Sequence, residues 1–322
     1  MKIVFHGANA LTFREGLEPL LEGAHDIAEV PDDLSGDAAG AIYSAADIIV
    51  GVKYTSAIKL PTALKLYQVP GAGYDGIDLA ALPAGVALCN CFGHENAIAE
   101  YVMAALLARH VPLSDADGRL RAGDWKYWAG GPTGLRTELG ATSIGILGFG
   151  HIGKTLALRA KAFGMSVSIA NRSAVPTSDL VDRAYALSEL PAFMGSVDTI
   201  VNTLPLTDET RGLISEAELA AMRPDAVILN VGRGPVIDEV ALYTALKARR
   251  IGGAIIDTWY VYPNAENEHP LPSQLRYHEL DNVTMTPHMS GWTHGTIRRR
   301  RETIADNINR CASGKPLRNR IV

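Results

Sequence analysis

The sequence predicts an α/β protein made of two parallel-sheet domains, and three observations carry that reading. The chain has 322 residues, longer than one hydrophobic core usually grows, so two domains are expected. Short apolar runs of strand length alternate with helical stretches along most of it, the rhythm of a parallel sheet with crossover helices. One such run ends in Gly148-Phe149-Gly150-His151-Ile152-Gly153, glycines at the spacing G-x-G-x-x-G with a helical pattern behind them. The first glycine allows a tight turn, the second lets backbone approach a pyrophosphate, and the third packs helix on strand. The phosphate then rests on free N–H groups at the positive end of the helix. Alone, this motif supports a dinucleotide and nothing more.

The elements follow in order. Residues 2–6 read as an apolar strand ending at Gly7, and residues 47–52, 64–69 and 86–90 read as three more. With helical stretches between several of them, residues 1–93 suggest a small α/β unit without a glycine motif. Residues 95–110 form a helix, because Ala97, Ile98, Tyr101, Val102, Ala105 and Leu106 recur at helical spacing and Pro112 follows. The glycine-rich, polar stretch 111–141, with Trp125, Tyr127 and Trp128, is expected to be a connector that packs on a partner subunit.

From 142 to 257 the elements are strand 143–148, helix 151–163, strands 165–170, 197–203 and 226–231, helix 239–249 and strand 253–257. This is a doubly wound sheet, which binds ligands at the carboxyl ends of its strands. The ends Leu204-Pro205, Gly232-Arg233-Gly234 and Asp257 are therefore expected to face the crevice of the glycine loop. Residues 258–280, with Pro263, Pro270 and Pro272, form a loop of the length usually reserved for function or disorder. Strand 283–286 leads into Pro287-His288, and a helix over about 294–312 follows.

Composition excludes some functions. With 30 Lys+Arg against 35 Asp+Glu, a formal charge of −5, a broad nucleic-acid surface is not expected. Arg298-Arg299-Arg300-Arg301 would point all round a helix and reads as a solvated, ion-paired surface. Cys89, Cys91 and Cys311 form no zinc pattern and cannot all pair, which fits a reducing compartment and no metal. Cys89 and Cys91, at alternate positions of a strand end, read as small buried residues. No signal-peptide core and no apolar run of about 18 residues is present, so a soluble, cytoplasmic protein without membrane contact is expected.

Two residues could give a dinucleotide its chemistry. Arg233 stands at a strand end between two glycines, where a fixed, always-charged fork suits a carboxylate or a carbonyl oxygen gaining charge. His288 follows a strand and a proline, and its neutral-range titration suits proton transfer. Its weight comes from partnership with Arg233.

The run Thr203-Leu204-Pro205-Leu206-Thr207 with Thr210-Arg211-Gly212, then Met222-Arg223-Pro224 and Asn230 through Asp238, resembles the D-isomer-specific 2-hydroxyacid dehydrogenases. The glycine motif, Asp257 and Thr286-Pro287-His288 stand in the same order as in that family, and Asn96-Ala97-x-Ala99-Glu100 is similar to its entry into the cofactor domain. The resemblance covers nearly the whole chain. It implies a Rossmann dinucleotide-binding domain over 95–290, inserted in a flavodoxin-like substrate domain of 1–94 and 291–322. It also implies a cytoplasmic homodimer that moves hydride between a nicotinamide cofactor and a small 2-keto or D-2-hydroxy acid, of the glyoxylate or hydroxypyruvate kind. Arg233 would bind the substrate carboxylate and polarise its keto oxygen, and His288 would be the general acid of reduction. Ala72, Gly73 and Asn96 would belong to the substrate site. Gly148, Gly150, His151, Ile152, Gly153, Leu204, Pro205, Val231, Gly232 and Ser290 would line the cofactor, with Asp257 on the nicotinamide carboxamide.

The sequence departs from the family in two places. The family's glutamate, five residues after the aspartate, is Tyr262 here. A phenol can hydrogen-bond an imidazole but supplies no charge, and an adjacent carboxylate raises a histidine pKa by about 1–3 units. The expectation is that ketoacid reduction falls off earlier as pH rises, unless Glu266 or Glu268 substitutes. The related formate dehydrogenases also lack that glutamate, and Tyr262-Pro263 resembles their arrangement, so formate oxidation stays an alternative. Dinucleotide-sensing corepressors share the fold, but the partner-docking tails of that function are not expected here. The second departure lies 171 − 153 = 18 residues past Gly153, where Asn171-Arg172-Ser173 replaces the acid that accepts the ribose hydroxyls of NAD. Arg172 and Ser173 favour the 2′-phosphate of NADP(H). The other reading leaves Arg172 in solvent and Asn171 on the hydroxyls of NAD(H). Lys53, Tyr54, Trp128, Tyr262 and Trp292 either line the substrate pocket or pack.

Overall fold

Strand β1 (Lys2–His6) shows why the first sheet is covered on both sides. Successive side chains alternate across a strand, and here both faces are buried: Ile3 and Phe5 join Phe13 and Leu17, while Val4 joins Tyr43 and Tyr67. The computed structural model describes residues 1–36, 38–264 and 266–322. The chain divides into two units, Met1–His94 with Trp292–Val322, and Glu95–Gly291.

The first unit is a five-stranded parallel sheet of β1, β2 (Asp26–Val30), β3 (Ile48–Gly51), β4 (Leu66–Gln68) and β5 (Ala87–Cys89), in the order β2-β1-β3-β4-β5. That is the flavodoxin-like order. β2 stands at the edge with Asp26 and Glu29 exposed and only Val30 buried, so it lacks the apolar run that marks the other strands. Helices α1 (Ala8–Leu11) and α2 (Ala39–Ser44) cover opposite faces. The C-terminal helix His294–Ala312 sets Ile304, Ala305 and Ile308 against Phe5 and Phe13. Cys89 and Cys91 are fully buried in the same face, and burial pushes their thiols up to about 11 and about 12. The arginine run departs from a solvated surface. Arg299 donates to the Gly93 carbonyl (2.7 Å) and Arg301 to that of Phe13 (3.4 Å), while Arg298 faces Glu302 at 4.0 Å.

The second unit begins with α3 (Glu95–His110), whose Ile98, Val102 and Leu106 pack on the sheet core. Residues 111–141 are not a connector throughout, because they open with α4 (Leu113–Arg121). This helix has no buried residue and is tied by the pairs Asp115–Arg119 and Asp117–Arg121, so it lacks the apolar periodicity that would reveal it. Then come β6 (Ser143–Leu147), α5 (His151–Ala162), β7 (Ser166–Asn171), β8 (Arg183–Ala186), α6 (Leu190–Gly195), β9 (Thr199–Asn202), α7 (Glu216–Ala221), β10 (Val227–Asn230), α8 (Glu239–Lys247), β11 (Gly253–Ile256) and β12 (Val283–Met285). The strands form one parallel sheet ordered β12-β11-β10-β9-β6-β7-β8. The order reverses between β6 and β9, which is the Rossmann switch point.

The described residues of the loop 257–282 are held down although they have little regular structure. Tyr277 donates to the Glu239 carbonyl (2.7 Å), Tyr260 donates to that of Ile237 (3.1 Å), and Ser273 donates to the Glu239 carboxylate. The rings of Tyr260 and Tyr277 stack. Among the described residues, no helix is long and apolar enough to cross a membrane.

Candidate active site

The glycine loop separates the needs of the fold from those of a ligand. Gly148 has φ +96°, where a side chain would be strained, and a Cβ there would lie 2.9 Å from Thr203 Oγ1. A Cβ on Gly153 would stand 2.2 Å from the Gly148 carbonyl oxygen, so helix α5 can start this close to β6 only with glycine. Around Gly150 a Cβ would meet nothing within 4 Å. The protein itself does not require that glycine. A group approaching the backbone from outside would, and α5 begins there with no side chain capping it. The loop therefore fits a dinucleotide pyrophosphate. Gly150 and His151 are exposed, Ile152 is half-buried, and Gly148 and Gly153 are buried.

Asn171, at the end of β7, is already engaged at both ends of its amide. Its Oδ1 accepts from the Phe149 N–H (3.2 Å) and its Nδ2 donates to the Ser173 carbonyl (2.9 Å). It fixes the glycine loop and its own turn. Arg172 and Ser173 are exposed beside it. The Glu209 carboxyl is held below its usual range first by hydrogen bonds with Thr207 and its own backbone, and last by the charge of Arg172.

Arg233 is half-buried at the end of β10. The loop that carries it is set by two buried asparagines that the sequence reading passed over. Asn202 Nδ2 donates to Asn230 Oδ1 (2.8 Å), which also accepts from the Gly232 N–H (3.2 Å). Asn230 Nδ2 donates to the Arg233 carbonyl (3.1 Å), and Asn202 Oδ1 accepts from the Leu204 N–H (3.1 Å). The guanidinium donates to the Gly232 carbonyl (3.0 Å). A Cβ on Gly234 would come within 2.3 Å of the Trp259 carbonyl oxygen, so the arginine loop touches the loop after β11 backbone to backbone. The signal for these asparagines is a polar residue closing an otherwise apolar strand, at the same position in two neighbouring strands.

His288 is exposed, with φ +58°, in the left-handed region that non-glycine residues rarely enter. Its Nδ1 and the Tyr262 hydroxyl are 2.9 Å apart, and the same phenol oxygen accepts from the Trp259 N–H at 3.1 Å. Tyr262 thus stands at the imidazole. Glu266 and Glu268 are exposed on the loop, and among the described contacts neither bonds His288. Asp257 directly follows β11. It exposes no surface, and its Oδ1 accepts from the Thr286 hydroxyl (2.6 Å) and the Met289 N–H (2.8 Å), its Oδ2 from the Ser290 N–H (2.9 Å). The carboxylate is taken up by the turn that carries His288. The Trp259 indole, also missed in the sequence, donates to the Thr286 carbonyl at 2.7 Å and grips the same turn.

The remaining residues divide. Val231, Leu204 and Ser290 are buried, and Pro205 is exposed. Asn96 Oδ1 accepts from Arg159 at 3.0 Å, which ties the start of α3 to α5. In the first unit the Ala72-Gly73 loop follows β4, and Asn90 Nδ2 donates to the Ala72 carbonyl at 2.7 Å. Tyr54 is a core residue, donating to the Ala81 carbonyl (3.0 Å), and Trp292 packs edge-on against Phe13. Lys53 and Trp128 are exposed.

Comparison with known proteins agrees with this geometry. The family model for the D-isomer specific 2-hydroxyacid dehydrogenase, NAD binding domain, matches residues 103–290. The chain is 34% identical over 257 residues to a glyoxylate reductase of Thermococcus litoralis, covering 78% of this chain and 75% of that protein. Among solved structures, an acyclic imino acid reductase in complex with NADPH and D-Arg matches with a TM-score of 0.80 at 27% identity, over 100% of both chains. A D-isomer specific 2-hydroxyacid dehydrogenase from Xanthobacter autotrophicus Py2, in complex with NADPH and MES, matches with a TM-score of 0.76 at 26% identity, over 99% of this chain and 97% of that one. The chain belongs to the D-isomer-specific 2-hydroxyacid dehydrogenase family and is an NAD(P)-dependent oxidoreductase.

Proposed function

We propose that this enzyme reduces a small 2-keto acid, glyoxylate or hydroxypyruvate, to the D-2-hydroxy acid with NADPH. The observation that carries the reading is the set of loops after β10, β11 and β12, which present Arg233, Tyr262 and His288 from three adjacent strands. The unit Glu95–Gly291 is the dinucleotide-binding domain of this reading, and the unit Met1–His94 with Trp292–Val322 is its substrate-binding domain. The nicotinamide supplies the hydride. Arg233 holds the substrate's carboxylate and draws charge onto its keto oxygen. His288 Nδ1 is engaged with Tyr262, which makes Nε2 the nitrogen that delivers the proton. A 2-imino acid is the second reading, favoured by the full-length likeness to an imino acid reductase. An iminium carbon accepts hydride with its proton already on nitrogen.

NADPH is preferred in this reading because Arg172 and Ser173 are exposed beside a neutral Asn171 whose amide is engaged. The solved structures quoted above are both NADPH complexes. A homodimer is proposed on the apolar side chains around α4: Leu113 is 74% exposed, Trp125 65%, Trp128 60% and Leu135 88%. Side chains this apolar are rarely left to water together.

Four measurements test these statements. NADPH oxidation should follow addition of glyoxylate or hydroxypyruvate, and His288→Gln should cost about 10²–10⁴ in kcat/KM and Arg233→Ala at least about 10². No turnover across a 2-ketoacid panel would remove the main reading, and turnover only with added ammonium or methylamine would install the imine one. Arg172→Ala should raise KM for NADPH about tenfold and leave NADH within about twofold. Equal effects on both cofactors would contradict a 2′-phosphate contact. Tyr262→Glu places a carboxylate against Nδ1, favours the imidazolium, and should move the alkaline fall of kcat/KM for reduction up by about 1–2 pH units. An unmoved limb would separate Tyr262 from proton transfer. Finally, Leu135→Asp with Trp128→Asp should convert a dimer to a monomer in light scattering, and a wild-type monomer refutes the assembly outright.

A further inference from the structure

Tyr101 belongs to no loop of the site. It sits within α3, between Ile98 and Val102, which are buried in the sheet core. Its hydroxyl is 2.7 Å from Thr286 Oγ1. Either oxygen could donate, but Thr286 has one hydroxyl proton, and its 2.6 Å bond to the Asp257 carboxylate takes it. Tyr101 is therefore the donor. Burial raises its pKa above the usual phenol value and the Asp257 charge adds to it, so the donor proton stays in place.

The relay Tyr101 O–H to Thr286 O–H to Asp257 ends on the carboxylate that also accepts from Met289 and Ser290. Thr286 stands two residues before His288, and Met289 and Ser290 directly follow it. One anion thus holds the chain on both sides of the left-handed His288, through a side-chain hydroxyl before it and two backbone N–H groups after it, and that anion is polarised from a helix.

We infer that Tyr101 is a positioning residue for proton transfer: by donating to Thr286 it completes the hydrogen-bond set of Asp257 and keeps the 286–290 turn in the conformation that carries His288. This rests on the reading of His288 as proton donor. Tyr101 touches neither His288 nor any reacting atom in this role. What it supplies is geometry, and a turn shifted by a fraction of an ångström slows chemistry without weakening ground-state binding.

The test uses the full chain with Tyr101→Phe, read first without cofactor by amide hydrogen exchange at Met289 and Ser290. Exchange there should speed up about three- to tenfold, the effect of losing one hydrogen bond from the set, while amides of α8 and β7 keep their rates. In turnover, kcat should fall by about the same factor, with KM for ketoacid and cofactor within about twofold. Thr286→Val should reproduce both effects, Thr286→Ser should restore them, and Tyr101→Phe added to Thr286→Val should change nothing more. Unchanged exchange at Met289 and Ser290 in Tyr101→Phe, or additive losses in the double variant, overturn the inference. Should Tyr101→Phe not fold, the contrast between Thr286→Val and Thr286→Ser decides in its place: equal exchange in those two overturns it. Because exchange is read without substrate, inactivity of the wild-type protein with ketoacids would fall on the proposed function alone.

Discussion

A carboxylate with no exposed surface holds the site together. An ion removed from water is costly unless its lone pairs are occupied by donors. Asp257 finds three of them, the Thr286 hydroxyl and the Met289 and Ser290 N–H groups, all in one short turn. The dependence is mutual. Those donors converge on one carboxylate while His288 keeps φ +58°, and His288 tolerates that conformation because the donors on either side of it are fixed. The His288 side chain is exposed, but the backbone beneath it is pinned to the sheet interior.

The neighbouring loops are locked in the same way, by side-chain hydrogen bonds across strand ends. Asn202 and Asn230 join the loops after β9 and β10, the Trp259 indole joins those after β11 and β12, and Asn171 joins the loop after β7 to the glycine loop. Gly234 lets the arginine loop and the Trp259 backbone meet without a side chain between them. These loops are tied to one another by such bonds, so Arg233, Tyr262 and His288 sit on a connected frame.

Much of this could be read from the residues themselves. The glycine spacing, Arg233 between glycines and His288 after a strand each combine a residue type with a local position, and a sequence displays both. The tying residues could not be read that way. The Tyr101–Thr286 bond spans 185 residues and the Asn202–Asn230 bond 28, and only strand and helix adjacency brings those partners together. The turn that donates to Asp257 is not legible for a related reason: a strand-end carboxylate can face a ligand or accept from backbone, and the residue type is the same in both cases. Helix α4 escaped because ion pairs, not an apolar stripe, support it.

The two departures from the family pattern share one physical character. Each replaces a carboxylate with a neutral group that keeps its hydrogen bonds. A glutamate beside His288 can only accept, so it selects the charged imidazole. The Tyr262 phenol, with the Trp259 N–H on one lone pair, can still accept from a protonated Nδ1 or donate to a bare one. It orients the ring in both protonation states and favours neither by charge. Asn171 likewise steadies the glycine loop and its own turn with its amide, while removing the anion that would repel a 2′-phosphate. Position is preserved in both cases and electrostatics is changed. A chain can therefore hold the family fold closely while its pH response and its choice of cofactor move independently of that fold.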